Sequence, residues 1–233
     1  MRDIVLCSGN SAKLQTLNYL AEDSKYKGLF SVKVPESIDV KEDGATFQEN
    51  AHHKLREYMK AYRNEFPCAI FMAEDSGLQI QALYGEPGVY SRRYLGEDVP
   101  YEDKMKNILS RMENEKNRGC RYFSYVAVAV PSLNDTGIHP TFGFEGVWNG
   151  LLTGVIVDGP TGFAYDPIFI PMNVCMNKKY YISEYVDKNE GLEENLIHKW
   201  SAANLRQDVW SMSNHRYMSF SHAFDFLLEN HMM

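Results

Sequence analysis

A run of six residues, Ala73-Glu74-Asp75-Ser76-Gly77-Leu78, constrains the fold of this chain more than any other part of the sequence. The apolar stretch 68–73 leads into it and has the length of one buried strand. The Ser-Gly pair after the two carboxylates predicts a turn that can open a helix. We therefore expect Glu74 and Asp75 at the carboxyl end of a strand, at the sheet edge where α/β proteins bind their ligands.

The two adjacent carboxylates also predict a cation beside them. Like charges this close repel each other, and a hard metal ion with oxygen ligands is the usual partner in proteins. The alternative interpretation is structural, with Asp75 or Ser76 capping the helix that follows. The run by itself leaves catalysis and capping open.

The composition is that of a globular protein without extensive nucleic-acid contacts. Hydrophobic residues make up 44% and charged residues 24% of the 233 positions, and this length suits a single domain over residues 1–233. The formal charge of −7 argues against broad nucleic-acid binding, which depends on a basic surface. A small phosphate-rich substrate remains compatible with that charge, because a metal ion and a few local cations can neutralise it.

The sequence indicates neither a membrane span nor a disulfide framework. No apolar run approaches the ~20 residues that cross a bilayer, and the N-terminal residues lack the basic and long apolar parts of a signal peptide. The four cysteines are far apart and form no CxxC pair, as is typical of reduced thiols. We therefore expect a cytoplasmic protein that binds neither membrane nor nucleic acid.

The N-terminal segment predicts a strand, a turn and a helix. Residues 3–8 are mostly apolar, Gly9 opens a turn, and the leucines after Lys13 have helical spacing. A lysine at the start of a helix can hold a phosphate together with the backbone N–H groups and the helix dipole. The alternative is an ordinary first βα turn with a solvated lysine.

A capping box predicts the start of a second helix. Thr46 and Glu49 have the required spacing, so Glu49 is interpreted as a cap and not as a ligand. Glu42 lies on the polar loop before the cap. Lys54 lies beside the apolar face of the helix, where a cation is costly unless it meets an anion.

A glycine-rich turn near residue 160 carries aromatic residues that could hold a base. Phe163 and Tyr165 flank Ala164, and Asp166 follows. A nucleobase stacked on such a ring gains ~1–3 kcal/mol. The alternative is that both rings belong to the core around a turn. The polar segment 172–213 that follows is interpreted as a long excursion before a C-terminal helix.

Six motifs spread over almost the whole chain are its most specific signal. They are Ser8-Gly9-Asn10-x-x-Lys13, Thr46-Phe47-x-Glu49-Asn50-Ala51-x-x-Lys54, Glu74-Asp75-Ser76-Gly77-Leu78, Gly85-x-Pro87-Gly88-Val89-Tyr90-Ser91-x-Arg93-Tyr94, Gly162-Phe163-Ala164-Tyr165-Asp166-Pro167-Ile168-Phe169 and His215-Arg216. In this order, and with this spacing up to residue 171, the chain resembles the inosine/xanthosine triphosphate pyrophosphatases. That family hydrolyses deaminated purine nucleoside triphosphates.

The resemblance implies a fold, an assembly and a reaction. The implied fold is α/β, an elongated mixed β-sheet with flanking helices, in two lobes with a nucleotide cleft between them. The implied assembly is a homodimer. The implied reaction converts inosine, deoxyinosine and xanthosine triphosphates to the monophosphate and pyrophosphate, which clears deaminated purines from the nucleotide pool.

The resemblance also implies roles for individual residues. Asp75 is the expected catalytic base, which positions or deprotonates the attacking water. The expected metal is Mg²⁺, with Mn²⁺ as a substitute, and its carboxylate ligands are Glu42, Glu74 and Asp75. The residues expected at the triphosphate are Ser8, Asn10, Lys13, Lys54 and Ser76. The residues expected at the base are Phe163, Tyr165, Asp166, His215 and Arg216.

The implied base selectivity has a simple physical origin. The 6-oxo group of a deaminated purine accepts a hydrogen bond from Arg216, whereas the 6-amino group of adenine would place a donor against a donor.

Three positions depart from the family pattern, all on the side expected to read the base. Asn214 stands where the family usually has serine, Ala164 where it has glycine, and Trp210 where it has lysine. Lys199 or Arg206 in the excursion could substitute for that lysine. The excursion is longer than the usual connection in the family, and long loops are often functional.

Two other functions therefore stay open. In one, the fold binds a nucleotide or a protein partner without useful turnover. In the other, it is a pyrophosphatase shifted towards other modified nucleotides, as the three departures suggest. The paired acids favour an enzyme, because a binding module does not need them.

Overall fold

The computed structural model describes residues 1–131, 140–160, 163–188 and 198–232. Gly162, the first residue of the fifth motif, and residues 189–197 of the expected excursion 172–213 therefore lie outside the described residues. None of the helices in the described ranges combines the length and the apolar character that a membrane span requires.

The elements alternate between strands and helices in the first half of the chain. The strands are β1 (Arg2–Leu6), β2 (Phe30–Lys33), β3 (Ile70–Ile80), β4 (Gly119–Ala129), β5 (Thr141–Leu152) and β6 (Phe169–Pro171). The helices are α1 (Ser11–Glu22), α2 (Phe47–Tyr62), α3 (Tyr101–Arg111), α4 (Ser183–Lys188), α5 (Gln207–Ser213) and α6 (His215–Glu229). Short 3-10 helices include Asp166–Ile168 and Ala202–Asn204.

The described strands form one mixed sheet in the order β2-β1-β3-β4-β5-β6. The pairs β1–β2 and β1–β3 are parallel, and β5–β6 is antiparallel. Parallel neighbours joined through α1 and α2 are typical of βαβ units. The predicted α/β fold with a mixed sheet and flanking helices is confirmed.

The chain divides into two compact units. Unit 1 contains Met1–Ser76, Ser124–Gly146 and His215–Met233. Unit 2 contains Gly77–Phe123 and Val147–Asn214. The single functional domain and the nucleotide cleft expected from the resemblance stay predictions.

The core of unit 1 is built from alternate residues of its strands. In a strand, every second side chain points to the same face of the sheet. The buried cluster takes Ile70 and Met72 from β3 and Val126 and Val128 from β4, together with residues of α1 and α6. Glu74 is two residues after Met72 in β3, and Ser124 is two residues before Val126 in β4. Both polar side chains therefore lie on the same face of the sheet as the apolar cluster.

The expected turn and helix after Glu74-Asp75 do not form, and this prediction was wrong. Strand β3 continues through both carboxylates to Ile80. Gly77 explains the difference, because a side chain there would overlap the carbonyl of Gly88 and the hydroxyl of Ser91. A glycine inside a strand commonly marks such a close backbone approach. The Ser91 hydroxyl also accepts the N–H of Leu78 at 2.9 Å, which holds the strand extended.

The capping box at the start of α2 is confirmed. The hydroxyl of Thr46 accepts the N–H of Glu49 at 3.1 Å, and a carboxylate oxygen of Glu49 accepts the N–H of Thr46 at 3.3 Å. Because both side chains of the box are used at the cap, Glu49 has no part in the candidate site. The box fixes where α2 begins and hence where Asn50 and Lys54 lie on it.

We expect Gly146→Ala to destabilise unit 1. A Cβ at Gly146 in β5 would overlap the carbonyl of His215 and lie 2.6 Å from the amide N of Ser219, both in α6. Backbone atoms cannot rotate away, so the helix would have to shift, at a cost of about 1–3 kcal/mol or more in the free energy of unfolding. Urea denaturation of the wild type and the variant measures the loss.

Gly119→Ala in β4 is the matched control for Gly146→Ala. Its nearest neighbours would be side-chain atoms at the end of Gln81, which can move aside. We therefore expect a smaller loss than for Gly146→Ala. Equal losses would show that the approach of α6 to β5 does not limit the substitution.

Candidate active site

Glu74 is a fully buried carboxylate surrounded by groups that neutralise it. Its Oε2 lies 2.9 Å from the Lys13 ammonium, and its Oε1 lies 3.6 Å from Nε of Arg216. The Ser124 hydroxyl donates to Oε1 at 2.8 Å and shares a 2.8 Å hydrogen bond with the hydroxyl of Ser219. These partners come from α1 and α6, which pack on this face of the sheet, and from the neighbouring strand β4. A charge placed in an otherwise apolar layer requires such a complete set of partners.

Lys13 is positioned by the first turn of α1. The Asn10 side chain caps the helix by accepting the N–H of Ala12 at 2.9 Å, and the Ser8 hydroxyl accepts the N–H of Asn10 at 3.1 Å. The buried ammonium of Lys13 donates to the backbone carbonyl of Glu74 at 2.7 Å. In this structure Ser8 and Asn10 therefore shape the turn from which Lys13 reaches the carboxylates.

Asp75 has a separate environment because its side chain leaves β3 on the other side from Glu74. Its Oδ1 lies 2.9 Å from the Lys54 ammonium, and its Oδ2 accepts the Asn50 amide N–H at 3.0 Å. The same ammonium lies 2.7 Å from Oε1 of Glu42 and 3.3 Å from the Glu74 carbonyl. The place of Lys54 on α2 predicts an anionic partner, and in the structure Lys54 contacts two carboxylates, Glu42 and Asp75.

The two neighbouring carboxyls have pKa values shifted in opposite directions. Burial by itself would raise the pKa of Glu74, but Lys13 and Arg216 outweigh it and hold this pKa far below its usual range. Burial raises the pKa of the Asp75 carboxyl, against the opposing effect of Lys54. Glu74 is therefore a fixed anion, whereas Asp75 is the more easily protonated group, as a general base requires.

The lysines respond to the same environment. Burial lowers the pKa of the Lys13 ammonium, against the opposing effect of Glu74. Burial would also lower the pKa of Lys54, but Asp75 and Glu42 outweigh it and raise this pKa. Lys54 therefore stays charged between its two carboxylates.

The three carboxylates expected as metal ligands meet different cations in this structure. No group of three or more histidines, cysteines, aspartates and glutamates in the described ranges has the arrangement of a metal site. Glu42 and Asp75 meet at the Lys54 ammonium, whereas the Glu74 side chain faces Lys13, Arg216 and Ser124. Carboxylate oxygens are ligands that Mg²⁺ takes together with water and substrate oxygens.

Arg216 and His215 begin α6, also in unit 1. An Nη of Arg216 donates to the Ser76 hydroxyl at 3.1 Å, so Ser76 is tied to the same cation as Glu74. His215 is buried. Burial, as the main cause, and the charge of Arg216, as the second, lower the pKa of its imidazole well below the usual value. His215 is consequently neutral at physiological pH.

The other three residues expected at the base lie in unit 2. Phe163 is 40% exposed, whereas Tyr165 is buried and donates its hydroxyl proton to the Ser91 carbonyl at 2.7 Å. Tyr101 lies edge-on against Tyr165, with ring centroids 5.2 Å apart. Of the two rings, Phe163 is thus the one with an open face, and Tyr165 supports the turn.

Asp166 in unit 2 is buried and accepts two hydrogen bonds at one oxygen. Its Oδ2 takes the N–H of Phe163 at 3.0 Å and the indole N–H of Trp210 at 2.8 Å. The expected substitutes for the missing lysine are placed elsewhere. Arg206 pairs with Asp208 at 2.8 Å, and the Lys199 ammonium lies 5.5 Å from the centre of the Trp200 ring.

Several residues that build these sites were not predicted. Asn50 lies inside the second motif, one position after Glu49, but gave no sign of its contact with Asp75. Ser124 could have been found from the period of two, as the polar member of the apolar series in β4. Ser219 and Ser201 have no signal in the sequence, since their partners are distant along the chain.

The model of the Ham1 family matches residues 4–190. The chain belongs to the Ham1 family. It is 33% identical over 172 residues to the dITP/XTP pyrophosphatase of Staphylococcus aureus strain MW2, which covers 72% of this chain and 80% of the relative. The dITP/XTP pyrophosphatase of Staphylococcus epidermidis strain ATCC 12228 is also 33% identical, over 169 residues, with 72% and 80% covered.

Solved structures of the Ham1 family share the fold. The Staphylococcus aureus Ham1 protein aligns with a TM-score of 0.70 at 25% identity, over 98% of this chain and 100% of that one. A HAM1 protein from Coxiella burnetii gives a TM-score of 0.70 at 26% identity with the same coverage. The resemblance found in the motifs is thereby confirmed at the level of the family and of the fold.

We expect Glu74→Gln and Asp75→Asn to have opposite consequences for stability. Glu74→Gln leaves Lys13 and Arg216 without their buried anion and should cost about 3–5 kcal/mol in the free energy of unfolding. Asp75→Asn removes a charge that burial disfavours, while Glu42 still pairs with Lys54, so stability should be retained or increased. Urea denaturation at pH 7 measures both.

The effect of Glu74→Gln should depend on pH. A carboxyl with a lowered folded-state pKa stabilises the protein above its unfolded pKa, near 4.5 for glutamate, and this stabilisation is lost as the pH falls towards the folded value. The difference between wild type and Glu74→Gln should therefore shrink below pH 4.5. A variant that is as stable as the wild type at pH 7 would contradict the fixed-anion role of Glu74.

Proposed function

We propose that this chain hydrolyses inosine, deoxyinosine and xanthosine triphosphates to the monophosphate and pyrophosphate, clearing deaminated purines from the nucleotide pool. Membership of the Ham1 family and similarity to proteins named dITP/XTP pyrophosphatase support this reaction. The observation that carries it is the pair Glu74 and Asp75, with pKa values shifted in opposite directions among the cations Lys13, Lys54 and Arg216.

In the proposed reaction Asp75 acts on the attacking water. Its carboxylate accepts a proton from the water as the oxygen attacks the α-phosphorus, and the bond from that phosphorus to the bridging oxygen of the β-phosphate breaks. Pyrophosphate leaves with the electron pair of that bond. The Asn50 amide and the Lys54 ammonium hold the two oxygens of Asp75, so the base is oriented before substrate binds.

The proposed triphosphate site uses the lysines that already meet anions in this structure. Lys13 and Lys54 supply two ammonium groups beside the Glu74 carbonyl. Ser8 and Asn10 form the turn before Lys13, and Ser76 lies next to the catalytic carboxylate. Negative charge on the phosphate oxygens would replace part of the carboxylate charge around these cations.

We propose that Glu42, Glu74 and Asp75 hold the divalent metal, Mg²⁺ with Mn²⁺ as a substitute. When bound, the metal neutralises charge on the phosphate oxygens and makes the α-phosphorus easier to attack. All three carboxylates meet cations in this structure: Lys54 contacts Glu42 and Asp75, and Glu74 is engaged by Lys13 and Arg216. Glu74 has a second proposed task besides metal binding, which is to hold its two cations in place.

The proposed base site takes Phe163 as the stacking face, with Tyr165 as support and Asp166, His215 and Arg216 at the polar edge. The neutral imidazole of His215 can donate or accept a hydrogen bond, whereas the Arg216 guanidinium only donates. A donor at the 6-position favours an oxo group over an amino group, which is the selectivity that the resemblance implies.

We propose in addition a cytoplasmic homodimer, as the resemblance implies. Tyr84, Tyr90 and Leu95 in unit 2 are exposed apolar side chains within a short stretch of sequence, which suits a contact surface. Light scattering of the purified protein at several concentrations tests the dimer. A monomer mass throughout would exclude it.

Product analysis tests the reaction itself. We expect incubation with Mg²⁺ and inosine or xanthosine triphosphate to give monophosphate and pyrophosphate, with little product from adenosine or guanosine triphosphate. A diphosphate with orthophosphate would mean that another bond is cut. No product, but measurable nucleotide binding, would favour the binding-module alternative, and turnover of a modified pyrimidine triphosphate alone would favour the shifted specificity.

We expect Asp75→Asn to lower kcat for inosine triphosphate by at least about 100-fold while nucleotide affinity changes little, because general-base catalysis contributes ~10²–10⁴ in rate. Steady-state kinetics and calorimetric titration with a non-hydrolysable analogue measure the two. In the wild type, kcat/KM should fall on the acid side with a pKa above the ordinary aspartate value of 3.8.

Asp43→Asn is the matched control for Asp75→Asn. Asp43 is exposed on the loop beside Glu42 and pairs with Lys41 at 2.8 Å, so its loss should leave kcat and affinity unchanged. Equal loss of turnover and binding in Asp75→Asn would mean that Asp75 only supports the site.

We expect a chelator to abolish turnover and added Mg²⁺ or Mn²⁺ to restore it. Glu42→Gln should raise the Mg²⁺ concentration needed for half-maximal rate by at least about tenfold, since even partners behind the ligands contribute 10–100-fold to metal affinity. Glu49→Gln, at the helix cap, is the control and should not change that concentration. Full activity in the chelator would remove the metal from the proposal.

A further inference from the structure

Asp166 is held at both its main chain and its side chain by residues in the described part of the segment 172–213. The Ser201 hydroxyl donates to the backbone carbonyl of Asp166 at 2.7 Å, and the Trp210 indole N–H donates to Oδ2 at 2.8 Å. Ser201, Trp210 and Asp166 are all buried. Because these donors come from one excursion in the chain, the excursion is built onto the turn that carries Asp166.

The turn itself needs such support. Ala164 has a φ of 57°, in the left-handed region that a residue with a Cβ rarely adopts. Conformations of this kind persist only where the surroundings impose them. The second hydrogen bond to Oδ2, from the Phe163 N–H at 3.0 Å, spans Ala164 and closes the turn around the carboxylate.

The excursion is in turn anchored within unit 2, so that Trp210 has a fixed place. The N–H of Ile182 donates to the Asn204 carbonyl at 2.8 Å, and the N–H of Arg206 donates to the Tyr180 carbonyl at 3.0 Å. A side chain at Gly159 would overlap the carbonyl of Ala203, which shows how closely the excursion approaches the turn. Helix α5 then begins at Gln207 and carries Trp210.

We propose that Trp210 is a positioning residue for base recognition, which orients the Asp166 carboxylate to accept a ring N–H of the base. Because Oδ2 accepts two N–H donors, from Phe163 and Trp210, the rotation of the Asp166 carboxylate about its Cβ–Cγ bond is fixed. A carboxylate only accepts hydrogen bonds, so it favours bases with an N–H beside a carbonyl group, as at position 1 of a 6-oxopurine, and disfavours adenine, which has a lone pair there. Guanine has the same N–H, so this contact separates inosine from adenosine triphosphate and not from guanosine triphosphate.

This inference rests on the proposed function, because it assigns Asp166 to the base. It adds a residue that the family resemblance marks only as a departure: Trp210 stands where a lysine is usual. At this position a neutral indole that orients a carboxylate replaces a cation.

Trp210→Phe tests the inference, because it keeps an aromatic ring and removes the N–H. We expect KM for inosine triphosphate to rise about tenfold, since a hydrogen bond to a charged group changes an equilibrium by about tenfold to a hundredfold. We expect kcat to stay within about twofold, because the chemical step lies elsewhere. The preference for inosine over adenosine triphosphate should fall by a similar factor.

Trp200→Phe is the matched control, in the same excursion. Its ring packs edge-on against Tyr181, with centroids 5.0 Å apart. We expect KM, kcat and the inosine-to-adenosine preference to stay at wild-type values. An equal rise of KM in both variants would overturn the inference, because it would show a general effect of disturbing the excursion.

A double-mutant cycle shows whether Trp210 acts through Asp166. Asp166→Asn places an N–H where the base N–H should bind and should itself raise KM. If Trp210 acts only through the carboxylate, adding Trp210→Phe to Asp166→Asn should change KM by less than about twofold. Effects that multiply would overturn the inference.

Binding measurements separate this inference from the proposed function. If the wild type binds inosine triphosphate without hydrolysing it, the proposed reaction fails, and the same variants are compared by calorimetric dissociation constants. If Trp210→Phe does not fold, Ser201→Ala provides the test, with a smaller rise of KM or of the dissociation constant in the same direction. The inference is overturned if 1-methylinosine triphosphate, which lacks the ring N–H, binds the wild type as tightly as inosine triphosphate.

Discussion

A buried negative charge at Glu74 is the constraint on which unit 1 depends. The residue continues the apolar series Ile70 and Met72 on one face of β3, so its charge lies in a layer of low polarity. Such a charge is stable only with cations and donors at contact distance. Lys13 and Arg216, near opposite ends of the sequence, provide the cations, and this shared anion joins the first helix to the last at the central strands.

Because side chains alternate along β3, the neighbouring residues Glu74 and Asp75 point to opposite faces of the sheet and meet different helices. Glu74 meets α1 and α6, where two cations keep it ionised. Asp75 meets α2, where it shares Lys54 with Glu42 and has a raised pKa. Of these two adjacent carboxylates, Glu74 is thus a fixed anion and Asp75 the more easily protonated group, and the difference comes from the helices that pack on each face of the sheet.

The sequence predicted those features that depend on near neighbours. The capping box at Thr46, the strand and helix around Lys13 and the charge partners of Lys54 all follow from local pattern or from the cost of an isolated charge. The turn at Ser76-Gly77 was predicted wrongly, because the glycine serves the close approach of Gly88 and Ser91, which no local signal shows. The contact of Trp210 with Asp166 likewise joins residues 44 apart in sequence and becomes visible only in the fold.

The carbonyl oxygen of Glu74 has a consequence for how a charged ligand could enter. It accepts the ammonium of Lys13 at 2.7 Å and that of Lys54 at 3.3 Å, so two cations from different helices share one backbone acceptor. If one ammonium turns towards an arriving anion, the other still satisfies this backbone oxygen. The carbonyl of the peptide group between Glu74 and Asp75 is therefore a shared acceptor, and it keeps one donor when either lysine moves.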